Sequence, residues 1–376
     1  PAGIAVKRTR DNMQFWDKRK LKGNDCRVQL KAALSLAKAG NNAGILFFID
    51  KLKNGDWPTR RDAMGALGEL NDRCAIEPLV DALRDKRKDN RQEAKKNLNK
   101  IDPNWLELKI VQEKISDFIL ALIDYREWVR EGAADGLEVI MPDWAQSEQA
   151  KSTVPSFISI VTGSAPDDMD SYAYANIQHY AIGVLEKIKD KRTIKALIYS
   201  LGTHHDKAAS ALSLIDSNWN TSAQANNAIQ YYIGELASDD EQIRRSGVLA
   251  LKLIASKQAE ESLLKVIFDG GAIARAGAAE VFMQLNSQWA TLPLLKKAIP
   301  NFVEDLKHEE DFVRNCAADV LLNISYTHPP VIAVITCPLR LMEDHKENAM
   351  KMLIDKHPNW WQSEEEATVN STIEKM

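Results

Sequence analysis

The sequence predicts an all-α solenoid, a superhelix of about ten stacked helix pairs. Three observations predict it. Strand patterning is nearly absent, apolar residues recur at three- and four-residue steps, and one nine-residue pattern returns along most of the chain.

Length and composition come first. A chain of 376 residues exceeds the roughly 250–300 that a single core supports, so it is either two domains or a repeat array. With 45% hydrophobic residues there is enough apolar surface for a long core. The formal net charge is −4, from 49 basic and 53 acidic residues, which argues against a dedicated nucleic-acid binder. Residues 1–24 read as a basic N-terminal helix or cap and 25–376 as the solenoid. Over 1–31 there are nine Lys or Arg against three Asp, either a solvated first helix or a docking patch for an acidic partner.

The repeat reads [V/I/A]-R-x-x-A-x-x-x-L. It is clearest at Val129-Arg130-x-x-Ala133-x-x-x-Leu137 and Val313-Arg314-x-x-Ala317-x-x-x-Leu321, with looser copies around Ala32, Ala63, Ala94, Ala181, Ala208, Gly247, Ala278 and Ala349. The small residue, the anchor, belongs where two helices approach most closely, and the larger apolar residue four later lies on the same face. Arg stands three before the anchor in six copies: Arg60, Arg91, Arg130, Arg244, Arg275 and Arg314.

Anchor spacings are 31, 31, 39, 48, 27, 39, 31, 39 and 32 residues. A Trp eleven after the anchor sorts them: Trp105, Trp144, Trp219 and Trp289 each precede a spacing of 39 or more, and Trp360 follows the last anchor. The Trp therefore marks a longer connection and a longer following helix. Around it runs one turn in variants, Ile101-Asp102-Pro103-Asn104-Trp105 and Ile215-Asp216-Ser217-Asn218-Trp219 among them, rich in capping residues. The Trp is expected as a buried plug between repeats. The spacing of 48 holds an exposed insert at about 162–171; it has three Asp but lacks the Gly and Glu of an EF-hand, and no metal site is read there.

These motifs resemble HEAT repeats, especially the short bacterial type also found in phycobilisome lyases. Ala66-Leu67-Gly68-Glu69-Leu70-Asn71-Asp72-Arg73-Cys74-Ala75-Ile76-Glu77-Pro78-Leu79-Val80 and Lys187-Ile188-Lys189-Asp190-Lys191-Arg192-Thr193-Ile194-Lys195-Ala196-Leu197 are close to that consensus. The resemblance implies that the anchor-bearing helices line a concave face, and that the protein is a scaffold binding a protein or peptide; the alternative it implies is a bilin-lyase-type or chaperone-like enzyme. HEAT-type deoxyhypusine hydroxylases use several His-Glu dyads for iron, and here only His308-Glu309 occurs.

At about 100° per residue, the positions two before, two after and five before the anchor point outward. They hold Glu131, His179, Arg245, Ala276 and Asn315; Asp135, Leu249 and Asp319; and Trp128, Ile273 and Phe312. Two distant copies match: Trp128 with Asp135 and Phe312 with Asp319, an aromatic and an anion about two turns apart on one face. Trp128, Glu131, Asp135, His179, Arg245, Phe312, Asn315 and Asp319 are therefore the expected binding residues, suited to a partner segment with hydrophobic and basic side chains. No HExxH, GxxxxGK[ST], GxSxG or CxxC occurs, so no catalytic residue, metal or cofactor is expected. No apolar run reaches the length of a membrane span, and four Cys without pairing motifs point to the cytoplasm.

Overall fold

The structure is a computed structural model and describes residues 13–327 apart from 168, 306 and 307. Among the described residues there are helices and no strands. The chain forms two compact units, Pro1–Asp190 and Lys191–Met376.

In the first unit, α1 covers 13–20. It is followed by α2 (Cys26–Lys38), α3 (Asn42–Asn54), α4 (Trp57–Leu70), α5 (Ile76–Asp81), α6 (Lys88–Ile101), α7 (Lys109–Ala121), α8 (Glu127–Ile140), α9 (Glu148–Thr162) and α10 (Ser171–Ile188). Side-chain caps fix the starts: Asp25 accepts from Arg27 N and Val28 N, Asp56 from Thr59 N and Asp170 from Ala173 N. Asn71 and Lys189 end α4 and α10 in the left-handed conformation. Helices pack in pairs, α2 with α3, α5 with α6, α7 with α8 and α9 with α10, and anchor-bearing α4 packs on α2, α3 and α6.

The second unit holds α11 (Ile194–Tyr199), α12 (His205–Ile215), α13 (Ala223–Glu235), α14 (Glu241–Ile254), α15 (Lys257–Asp269), α16 (Ala272–Leu285), α17 (Ile299–Asp305) and α18 (Asp311–Thr327). Here α14, α16 and α18 lie side by side. Each unit is thus an α-solenoid of stacked helix pairs.

The nine anchors in the described residues, from Ala32 to Ala317, are all buried on the even-numbered helices α2 to α18. So are the residues four later, from Leu36 to Leu321. Each such Leu contributes about 1.5–3 kcal/mol of burial. Gly247 shows why the anchor is small: a methyl group there would sit 2.7 Å from the Tyr232 carbonyl. Ala349 and Trp360 lie outside the described residues.

Trp105, Trp144, Trp219 and Trp289 are buried, as expected of plugs. Each starts a short 3-10 turn. Its backbone N–H bonds the carbonyl three residues earlier, at Asp102, Met141, Asp216 and Asn286. Side chains of Asp102, Asp216 and Asn286 also accept from the amide two residues on. The indole N–H of Trp105 donates to Asn99 and that of Trp219 to Ser213, each six residues back. The longer connection is thus real, and the longer helix holds only in part: the helices after Trp105, Trp144, Trp219 and Trp289 have 13, 15, 13 and 7 residues, against 13, 6, 6 and 13 for α3, α5, α11 and α15, which no such Trp precedes. Helix α3 has no preceding Trp and α7 has one, yet both are 13 residues long. The added residues go into the turn, 102–108 before α7 against 39–41 before α3.

The repeated Arg holds the turn before its own helix. Arg91, Arg130, Arg244 and Arg314 each donate to the carbonyls five and six residues earlier, and Arg60 to that of Gly55. Four also bind a carboxylate from further along the chain: Arg60–Asp85, Arg91–Asp135, Arg244–Glu310 and Arg275–Asp305. These donors satisfy main-chain carbonyls of the turn, which no helix ladder uses.

Between α13 and α14 lies a half-buried carboxyl, Glu235. Burial pushes it above its ordinary value, while hydrogen bonds from Tyr231 and Ser246 pull it partly back. Between the unfolded value, about 4.3, and the raised folded value, the folded state holds more protons than the unfolded one. Stability at this site therefore falls as pH rises through the folded value. Glu235→Gln is expected to raise the melting temperature at pH 8 and to leave it unchanged near pH 3; equal shifts at both would remove the titration as the cause.

Candidate functional site

In the second unit α14, α16 and α18 form a groove of about 620 Å³. One face of α14 supplies Glu241, Arg245, Leu249 and Lys252; α18 supplies Phe312, Asn315, Cys316 and Asp319. The floor is α16, which supplies Glu280 and Met283. Six of its first eight residues are Ala or Gly, and Ala276 is buried where α14 has Arg245 and α18 has Asn315. Ala276 was expected to point outward, and it is buried instead, at 2% exposed. The Cys316 thiol donates to the Ala276 carbonyl at 3.2 Å, joining wall to floor.

The groove is apolar within and charged at its rim. Val248, Leu249, Met283 and Phe312 offer hydrocarbon. Its cations are paired: Arg245 with Glu241 at 2.5 Å, Lys252 with Glu280 at 3.0 Å and Arg244 with Glu310 at 3.2 Å. The Arg244 guanidinium also lies 5.5 Å from the Phe312 ring centre. Burial pushes the Cys316 thiol far up, so it remains a protonated, small hydrophobe rather than a nucleophile. One polar atom stands out: Asn315 Oδ1 is enclosed and accepts no hydrogen bond.

Of the eight expected residues, the groove collects Arg245, Phe312, Asn315 and Asp319. The other four belong to the first unit. Trp128 on α8 lines a separate, smaller cleft. Asp135, expected as an anionic grip, accepts from Arg91 Nε at 2.8 Å. Glu131 is exposed on α8, and exposed His179 on α10 meets the Tyr180 ring edge-on. Sequence reasoning missed Met283 and Cys316, which line the groove from α16 and α18. No cluster of three or more potential metal ligands occurs among the described residues. Nor is any described helix long and apolar enough to cross a membrane.

Paired helices stacked on small anchors, with recesses between neighbouring anchor helices, define an α-solenoid repeat protein. Over residues 19–99 the sequence matches the family model described as HEAT repeats. Among solved structures, an engineered protein is 19% identical over 92% of this chain and 98% of its own, with a TM-score of 0.34. Karyopherin Kap121p bound to the SUMO protease Ulp1p is 13% identical over 97% of this chain, with a TM-score of 0.41. Importin beta is 15% identical over 92% of this chain, with a TM-score of 0.37. The chain spans 45% of that Kap121p chain and 53% of that importin beta chain. Likeness at these levels carries no functional inference. No curated protein matches the sequence.

Proposed function

We propose that the protein is a non-catalytic binding scaffold, and that the groove of the second unit receives a segment of a partner protein. The observation that carries this reading is the apolar groove whose rim cations are already neutralised. Paired cations disfavour a phosphate-rich ligand, while the hydrocarbon of Leu249, Met283 and Phe312 favours a peptide segment that brings apolar side chains. The free thiols of Cys26, Cys74 and Cys316 fit the cytoplasmic setting expected for it.

Trp128 and Phe312 belong to different units, so each is tested singly. A partner identified by affinity capture and mass spectrometry is titrated against the purified chain and its variants. Phe312→Ala is expected to weaken binding by about 2 kcal/mol, or roughly thirtyfold, with the melting temperature nearly unchanged. Unchanged affinity together with a large drop in melting temperature makes Phe312 a packing residue and removes the groove as the site.

A further inference from the structure

The first unit carries a second recess, a cleft of about 390 Å³ where α3 and α4 meet α5 and the start of α8. Its apolar wall is Leu52, Pro78, Ala82 and the half-buried Trp128 ring. Its charges divide into two kinds. The acids are already used inside the fold. Asp85 accepts from Arg60 Nε at 2.6 Å and Nη2 at 3.0 Å, from Asn90 at 3.2 Å and from the Arg87 amide at 2.8 Å. Burial alone would raise the Asp85 carboxyl, but these donors outweigh it and hold it below its ordinary value. Asp81 accepts from Arg84 at 3.3 Å and Lys114 at 3.1 Å. Lys53 and Lys86 are different: both are exposed, both line the cleft, and among the described residues neither pairs with a carboxylate.

Two unneutralised ammonium groups beside an aromatic wall call for an anion attached to something apolar. A nucleic-acid backbone fits poorly, because Asp81 and Asp85 stand in the same wall and the chain as a whole is acidic, at −4. We propose that this cleft is a second binding site, which takes the carboxylate side chain of an acidic protein segment between Lys53 and Lys86 and lays a neighbouring apolar residue against Trp128. The site is independent of the groove in the second unit, and it prefers partners of opposite charge to those expected along 128–135 from sequence. Both lysines are solvated, so the interaction is salt-sensitive and modest for each cation.

The test uses the full chain and fluorescence anisotropy with three fluorescein-labelled probes: a short peptide alternating glutamate and leucine, its glutamine analogue, and an oligothymidylate. The glutamate peptide is expected to bind, to weaken with added salt, and to lose about tenfold in affinity to the Lys53→Glu, Lys86→Glu double variant. Lys53→Arg with Lys86→Arg should retain binding. Because both positions are exposed, melting temperatures should stay together, which separates lost binding from lost fold. The proposal fails if the glutamine analogue binds as tightly, if charge reversal leaves affinity unchanged, or if the glutamate peptide does not bind. Tighter binding of oligothymidylate, lost in the same variant, also overturns it in favour of a polyanion site.

Discussion

Trp105→Ala is expected to lower the unfolding free energy by about 3–5 kcal/mol, read from the urea midpoint of the first unit's transition. Trp105 is only 1% exposed, and its indole fills the space behind the Asp102–Asn104 turn. Truncation loses the transfer energy of a large aromatic and leaves a void that helical neighbours on two sides cannot close. Its N–H bond to Asn99 adds little, because Asn99 is exposed and water takes the vacated acceptor. Trp57→Ala is the internal control: Trp57 is 46% exposed, and its loss should stay within about 0.5–1 kcal/mol. Equal costs at the two positions would falsify the plug assignment.

Arg275→Ala should cost as much in the second unit, about 3–5 kcal/mol, for a different reason. Arg275 Nε donates to Asp305 Oδ2 at 2.7 Å, and both side chains are nearly enclosed. Removing the cation leaves a buried carboxylate with its partner gone and also frees the Ile267 carbonyl that Arg275 satisfies. Arg275→Met combined with Asp305→Leu removes both charges and should recover most of the loss. If the double replacement is as damaging as the single one, the loss is one of shape, and electrostatics is not its cause.

The framework was legible because its signals are local and periodic. Small anchor, Leu four later and Trp eleven later are residue types that only packing on one helix face selects, so their spacing survives translation into structure. Arg three before the anchor was visible as a pattern but not as a device. Its acceptors are mostly main-chain carbonyls, which every residue carries and no sequence pattern marks. Asp135 was misjudged as a free grip because Arg91, 44 residues away, meets it only once the repeats stack. Half of the expected binding residues share a groove, since outward position can be counted along a helix. The groove itself could not be read, because it exists only once α14, α16 and α18 lie side by side. Lys53 and Lys86 gave no signal at all; their significance arises from carboxylates that Arg60, Arg84 and Lys114 neutralise elsewhere.

The recessed α16 has an evolutionary consequence. The groove beside it carries Arg245 and Leu249 two residues either side of the anchor Gly247, while the anchors, capping arginines and Trp turns that hold the array lie at other positions. Binding and folding are therefore written in separate letters of the same repeat. A lineage could retune the groove by exchanging such outward residues, without touching the framework. Each repeat is in this sense a blank slot in a display, and partner choice drifts by substitutions that cost the scaffold little.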